Sequence, residues 1–231
     1  MSRPGTLEFF FDCSSPWSYL AFRNIQPLAA QGNIDIAWRP VLVGGIFNTV
    51  NQRMYASRED AASPRNRYML KDLQDCARQA NVQIEFPPKV FPVNSVKAMR
   101  GCLWLAQQAE KPNQMNATDL VTAPEKTARQ LAFIEACFAA YFTQQADISQ
   151  NDVLAEICRA NGLVPDAFFA GIAEPEIKAQ LKANTDEAIA RGAFGVPTFF
   201  VGEDMYFGND RLAMALAAAA AAAAKAVTAA A

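Results

Sequence analysis

The sequence predicts an α/β fold in which a small sheet is built from the two ends of the chain and a long all-helical insertion separates them. Three observations carry this reading. Residues 7–43 run strand, helix, strand, a βαβ unit. Residues 95–191 hold helical periodicity and little else. Residues 198–212 read as a β-hairpin followed by the start of a helix.

Leu7–Phe11 (LEFFF) is a short apolar run rich in aromatics, with the length of a buried strand. Asp12–Ser14 breaks the run. Pro16 suits a first helical position, and Leu20, Ile25 and Leu28 then fall to one side, predicting a helix over Pro16–Gln31 that stops at Gly32-Asn33. Ile34–Val43 alternates Ile34, Ile36 and Trp38 as a second strand. Pro40 puts the far end of that strand at an edge or outside the sheet. The crossover between the strands is expected to be right-handed. Ser15 is thereby left just before a helix N-terminus, where backbone N–H groups and the helix dipole favour an anion.

Gly44–Arg67 is polar and locally basic, with Asn48, Asn51, Arg53, Arg58, Arg65 and Arg67. It reads as a loop with one or two short helical turns, or as a wall or lid over a site. A helix is expected over Tyr68–Asn81, and Ile84–Pro92 is proline-rich and extended. Ser95 is placed to cap a helix carrying Val96, Met99, Leu103 and Ala106. Pro112–Ala123 is a connector, and Pro124-Glu125 opens the next helix. Ser149 and Asp152 resemble a capping box for Val153–Asn161, which Gly162 ends. Pro165–Ile172 and Pro175–Arg191 complete the insertion. Thr198–Val201 and Met205–Phe207 pair around Gly202–Asp204. Gly208-Asn209-Asp210 is placed to cap a last helix, and Ala217–Ala231 extends it as a low-complexity tail expected to fray.

The chain has 231 residues, 52% of them apolar and 16 of them Phe, enough for a sizeable core. A net charge of −2 gives no bulk basic character for nucleic acid or an anionic membrane. There is no histidine, which excludes His-based triads, His-ligated metals and imidazole acid–base chemistry within this chain. The five cysteines, Cys13, Cys76, Cys102, Cys137 and Cys158, form no C-x-x-C pair, and their number is odd. A disulfide framework is therefore not expected. The last four sit in helical segments and are expected to pack as small hydrophobes. The N-terminus lacks a signal-peptide pattern. No stretch except the C-terminal alanines has the length of a membrane helix, so the chain reads as soluble and cytoplasmic.

Ser15-Pro16-Trp17-Ser18 stands where thioredoxin-like proteins carry C-P-x-C, with both sulfurs replaced by oxygen. Val196-Pro197-Thr198, directly before a strand, matches the cis-proline loop of the same fold. FFDCSSPWSYLA at Phe10–Ala21, FPVNS at Phe91–Ser95 and GVPTFFVGEDMYFGNDRL at Gly195–Leu212 together resemble the 2-hydroxychromene-2-carboxylate isomerase family. That family is related to kappa-class glutathione transferases and DsbA-type oxidoreductases. The resemblance runs from Leu7 to Leu212 in order. It implies a thioredoxin-like domain made of residues 1–45 and 190–216, a helical domain of residues 46–189 inserted in it, a tail of residues 217–231, and assembly as a homodimer.

The resemblance further implies glutathione as cofactor and a small aromatic substrate. Ser15 would contact the glutathione sulfur. The backbone of Val196, before Pro197, would pair with the cysteinyl unit. Phe207, Gly208, Asn209 and Asp210 would hold the γ-glutamyl end, with Asp210 facing its ammonium. Phe47, Asn48, Asn51, Phe91 and Asn94 match the acceptor side, and Arg65 and Arg67 are candidates for a substrate carboxylate. The implied reaction interconverts 2-hydroxychromene-2-carboxylate and trans-o-hydroxybenzylidenepyruvate by reversible thiolate addition. A kappa-class-like transferase or peroxidase would keep Ser15, Val196 and Asp210 and differ in the acceptor pocket. A non-catalytic glutathione-binding protein would show affinity without turnover. A DsbA-type thiol oxidoreductase is opposed by the missing C-x-x-C.

A serine suits this chemistry because it cannot exchange disulfides but can donate a hydrogen bond to a thiolate. A thiol of pKa about 8.5 is only a few per cent ionised at pH 7, and lowering that pKa by about two units requires roughly 2.7 kcal/mol. A hydrogen bond to a charged acceptor contributes about 1.5–3 kcal/mol and a helix N-terminus about 0.3–1 kcal/mol. Together they suffice without histidine or metal. Judged on the local stretch alone, Ser15 reads first as an ordinary N-cap and Asp210 as a cap of the last helix. Cys13 lies two residues before Ser15 and reaches the same side only if the strand persists that far; without a C-x-x-C partner it is not expected to act as a redox thiol.

Overall fold

A computed structural model describes residues 5–54, 63–110 and 123–230. Arg58 and most of the connector, residues 112–122, lie outside them. Strand β1 (Leu7–Phe11) leads into helix α1 (Pro16–Gly32) and strand β2 (Ile36–Pro40). Helices α2 (Val43–Val50), α3 (Pro64–Gln79), α4 (Val96–Glu110), α5 (Ala123–Phe142), α6 (Asn151–Ala160), α7 (Pro165–Ile172) and α8 (Pro175–Ala190) follow. The chain then returns to the sheet with β3 (Thr198–Val201) and β4 (Asp204–Phe207). A 3₁₀ turn (Asn209–Arg211) enters the last helix, α9 (Leu212–Ala230).

The sheet has the order β2-β1-β3-β4. β1 and β2 are parallel, with Phe9 opposite Trp38. β1 and β3 are antiparallel, with Phe9 opposite Phe199, and the β3–β4 hairpin is antiparallel too. This is a thioredoxin-like sheet interrupted by a mostly helical insertion, as the sequence predicts.

Side chains alternate across β1, and the two faces meet different layers. Leu7, Phe9 and Phe11 join the main core with Phe22 of α1, Phe138 and Phe142 of α5, and Phe199 of β3. Tyr19 of α1 stacks on Phe138 at 5.0 Å, so the insertion shares one core with the sheet. Phe10 and Phe200 point the other way, onto Val41, Ile46 of α2 and Ala188 of α8. Glu8 also lies on that face and is buried. It is bonded by Arg191 (2.8 Å), whose guanidinium lies over the Phe200 ring at 3.8 Å.

Several boundaries differ from the sequence reading, each for a local reason. β2 is shorter than Ile34–Val43 because its flanking N–H groups are used elsewhere. Ile34 N–H donates to Ala29 O at the end of α1, Leu42 N–H to Thr185 Oγ1 and Val43 N–H to Asp12 Oδ2. The short helical turns expected in Gly44–Arg67 include α2, which starts at Val43 and runs through two glycines. Gly45 earns its place by close approach, since a Cβ there would sit 3.2 Å from Thr185 Cγ2. The capping box at Ser149 and Asp152 is not formed. α6 starts at Asn151, and Asp147 Oδ1 accepts from Ser149 N–H instead. The alanine run continues α9, with Ala215 and Ala219 fully buried and Ala223 packed on Gly5. Residues Asn209–Ala229 form a helical segment long and apolar enough to cross a membrane by length and composition, and most of it is exposed.

Candidate active site

The site grows from the turn between β1 and α1. Ser15 has an extended backbone (φ −103°, ψ 119°), and its Oγ accepts from Ser18 N–H at 3.2 Å, making it the N-cap of α1. Pro16 has no N–H, and Tyr19 N–H goes to Ser15 O. Trp17 N–H is thus left, among the described residues, as the first-turn donor open to a ligand. Ser15 is 8% exposed, and its hydroxyl donates to Val196 O across 3.4 Å, at the long limit of a hydrogen bond. Val196-Pro197 is a cis peptide bond, as are Phe86-Pro87 and Phe91-Pro92. The two halves of the pattern read at the ends of the chain therefore meet: the serine at the α1 N-terminus faces the proline loop before β3. Ser18 Oγ, one turn along, is buried and has no hydrogen-bond partner among the described residues.

Beneath Ser15 lies a group the sequence reading treated only as a break in the strand. Asp12 is 1% exposed. Its carboxylate accepts from Ser14 N–H (2.9 Å), the Ser14 hydroxyl (2.9 Å), Val43 N–H at the start of α2 (2.8 Å) and the Ser95 hydroxyl at the start of α4. Burial pushes its pKa above the ordinary 3.8, and these hydrogen bonds act against that shift. One carboxylate thus fixes the starts of α1, α2 and α4 relative to one another. Ser95 keeps the cap position by backbone, since Met99 N–H donates to Ser95 O. Its hydroxyl serves Asp12, while Asn94 Oδ1 takes Val96 N–H at 3.1 Å.

The remaining expected residues fall into two groups. Phe207 and Phe47 converge on Gly195: a Cβ there would lie 3.1 Å from Phe207 Cε2 and 3.7 Å from Phe47 Cε1. Phe207 packs on Phe194 at 4.3 Å, and both rings are partly exposed. Asn51 Nδ2 donates to Phe194 O at 2.9 Å, tying the end of α2 to the loop before Val196. Gly208 has φ 100° and donates its N–H to Pro197 O at 2.9 Å. Asn209 accepts from Asn24 of α1 at 3.2 Å. Asp210 is exposed and paired with Arg211 at 3.0 Å, a different partner from the helix N–H groups that a cap would engage.

The second group is placed by other contacts. Phe91 packs edge-on against Phe86, Asn94 is committed to the start of α4, and Asn48 is exposed on α2. Arg65 and Arg67 are exposed on the first turn of α3. Cys13 does not reach the Ser15 side, because β1 ends at Phe11. It is fully buried, its N–H donates to Met99 Sδ at 3.3 Å, and its thiol lies among Cys102 and Cys137. Burial pushes all three thiols up, the reverse of a reactive thiolate. Cys158 is buried as expected and its pKa is raised to about 11, whereas Cys76 is only partly buried.

A model of the DSBA-like thioredoxin domain matches residues 6–118 and 110–220. The chain belongs to the DSBA-like thioredoxin family. Within it, this chain is 27% identical to human glutathione S-transferase kappa 1 over 223 residues, 91% of this chain and 89% of that protein. It is 26% identical to 2-hydroxychromene-2-carboxylate isomerase of Sphingobium xenophagum over 207 residues, 90% and 94% of the two chains. A solved 2-hydroxychromene-2-carboxylate isomerase superposes with a TM-score of 0.70 at 24% identity, covering 92% of this chain and 93% of that one. The last likeness is one of fold. Together these relatives place the chain among the enzymes of the DSBA-like family whose members include isomerases and glutathione transferases.

Proposed function

We propose that this chain is a glutathione-dependent isomerase that interconverts 2-hydroxychromene-2-carboxylate and trans-o-hydroxybenzylidenepyruvate. The observation that carries the reading is the Ser15–Val196 contact, a hydroxyl at a helix N-terminus aimed at the proline loop in a chain without C-x-x-C or histidine. The residues present fit glutathione. A buried Ser18 hydroxyl lacks a partner among the described residues beside a first-turn N–H, and the long Ser15–Val196 bond is weak enough to be exchanged for better ones.

Glutathione held here would supply a thiolate nucleophile for the unsaturated carbon of the substrate. The chain's own part is to hold that charge. Ser15 Oγ–H, which donates to Val196 O, would turn to donate to the sulfur, and Trp17 N–H would add the field of the α1 terminus. Val196 O is then free to accept from the cysteinyl N–H. Asp210 exchanges Arg211 for the γ-glutamyl ammonium at the exposed rim, beside Phe207, Gly208 and Asn209. Phe47 and Asn51, which meet the loop before Val196, would form the acceptor wall, and Asn48, Phe91 and Asn94 are assigned to that side by the family resemblance alone. Glutathione is regenerated, and the protein works in the cytoplasm as a homodimer.

A kappa-class-like transferase is the second reading, favoured by the 27% identity to the human enzyme of that class. An ultraviolet assay of 2-hydroxychromene-2-carboxylate, with and without glutathione, on wild type and Ser15→Ala separates them. Equilibration that needs glutathione without consuming it, and falls at least tenfold in Ser15→Ala, supports the isomerase. Net loss of glutathione on an electrophile supports the transferase. Glutathione binding without turnover on any electrophile leaves a binding protein.

A further inference from the structure

Away from Ser15, a cleft of about 400 Å³ opens between α2, α4 and α8. That volume lies at the small end of the usual range for small-molecule pockets, roughly 300–1,000 Å³. No residue of the Ser15 site lines it. Its charge is unlike that of the whole chain. Arg100 of α4 and Lys178 and Lys182 of α8 line it, with Asp186 as the one acidic side chain. Lys182 is bonded to Asp186, so two cations of the cleft, Arg100 and Lys178, have no ion-pair partner among the described residues, in a protein of net charge −2. Arg100 Nε is buried and has no acceptor among the described residues. A buried donor of this kind costs free energy until something accepts from it. The hydroxyl groups in the cleft are already used: Thr49 donates to Gly45 O and Thr185 to Leu181 O. The rest of the wall is apolar, from Leu42, Leu181 and Ile189.

We propose that this cleft is a second ligand site, for a small organic anion with an apolar body, a carboxylate held by Arg100 and Lys178 with its hydrocarbon part on Leu42, Leu181 and Ile189. The chemistry is read from the donor set. Guanidinium and ammonium groups call for an oxyanion, and the leucine and isoleucine wall calls for more than an inorganic ion. The inference does not rest on the reaction proposed for Ser15.

The test is an NMR titration of ¹⁵N-labelled full-length protein with salicylate, and separately with inorganic phosphate, reading the Arg100 Nε–H signal and backbone amides. Salicylate is expected to shift Arg100 Nε–H together with Gly45, Thr49 and Leu181–Ile189. Its affinity is expected to fall roughly tenfold or more in Arg100→Gln, the scale of one charge-assisted hydrogen bond. Lys178→Gln, an exposed position, is expected to weaken it as well and guards against a folding defect in the first variant. Phosphate is expected to bind at least tenfold more weakly than salicylate. Absence of salicylate binding, shifts confined to Trp17 and Val196, equal affinity for phosphate, or full affinity in both variants would each overturn the proposal.

Discussion

Replacing Asp12 by alanine and by asparagine tests whether one buried carboxylate sets the architecture of the site. In wild type, Oδ1 accepts from the N–H and hydroxyl of Ser14, and Oδ2 accepts from Val43 N–H. Alanine removes both acceptors and orphans two backbone N–H groups. Asparagine keeps one acceptor and orphans one of them; its new NH₂ is met by the serine hydroxyls, which can rotate to accept. Both variants also shed the burial cost of the charge, so that contribution cancels between them. The difference is then one buried N–H left unpaired, about 1–3 kcal/mol. Taking about 2 kcal/mol, and a shift of about 2–4 °C in Tm per kcal/mol for a chain of this size, Asp12→Ala should melt roughly 4–8 °C below Asp12→Asn. Thermal unfolding followed by circular dichroism reads this directly. The pH dependence supplies a second check with a definite sign. The folded-state pKa of Asp12 is raised above 3.8, so the native state holds the proton more tightly than the unfolded chain. Its contribution to stability is present below 3.8 and is lost as pH rises through the folded value. The wild-type minus Asp12→Asn difference in urea midpoint should therefore fall over that window. Equal melting of the two variants, or a difference that grows with pH, would refute the placement of this carboxylate at the joint of three helices.

Three further outcomes follow from named contacts. Arg191→Ala should cost about 3–5 kcal/mol, because it leaves the buried Glu8 carboxylate without its partner, and urea unfolding measures it. Gly208→Ala should cost about 1–3 kcal/mol for a side chain at φ 100°, and should weaken glutathione binding in calorimetry, because the new Cβ would lie 2.5 Å from Asp210 Oδ1. Ser18→Ala should raise Tm by about 2–6 °C by deleting a buried hydroxyl with no partner among the described residues, while lowering glutathione affinity; a lower Tm would show that the hydroxyl is already satisfied.

What the sequence disclosed depended on whether the determining contact was local. β1 and β3 match the expected spans because each is a short apolar run closed by a turn residue, and both signals lie within a few positions. The serine–proline pairing was legible because each half carries its own pattern, S-P-W-S before a helix and V-P-T before a strand. Helix α2 was legible only as one or two short helical turns within a loop, without its start. Gly44 and Gly45 disfavour a helix, and the acceptor that fixes its first N–H is Asp12, 31 residues back. Asp12 itself looked like a loop acid, since no adjacent residue signals that three helix starts converge on it. Asn94 and Asn51 were read as candidate ligands from resemblance. Asn94 serves the backbone of α4, and Asn51 serves the loop before Val196.

The division of labour around Ser15 has a physical logic. A redox pair must reach solvent and exchange partners, so its flanking backbone is exposed at the helix end. Here the first position of the pair is a serine that is buried and already bonded, on both sides, to Ser18 N–H and Val196 O. A hydroxyl so placed cannot carry electrons, and its remaining asset is a proton it can redirect over a short distance. The neighbouring Cys13, which could carry electrons, is turned into the core by the end of β1 at Phe11, and its thiol is held protonated by burial. The anion-favouring terminus of α1 and the proline loop thus meet with a hydroxyl, not a sulfur, between them. Such an arrangement favours holding a small thiolate over exchanging a disulfide, and Asp12 keeps its parts in register from below.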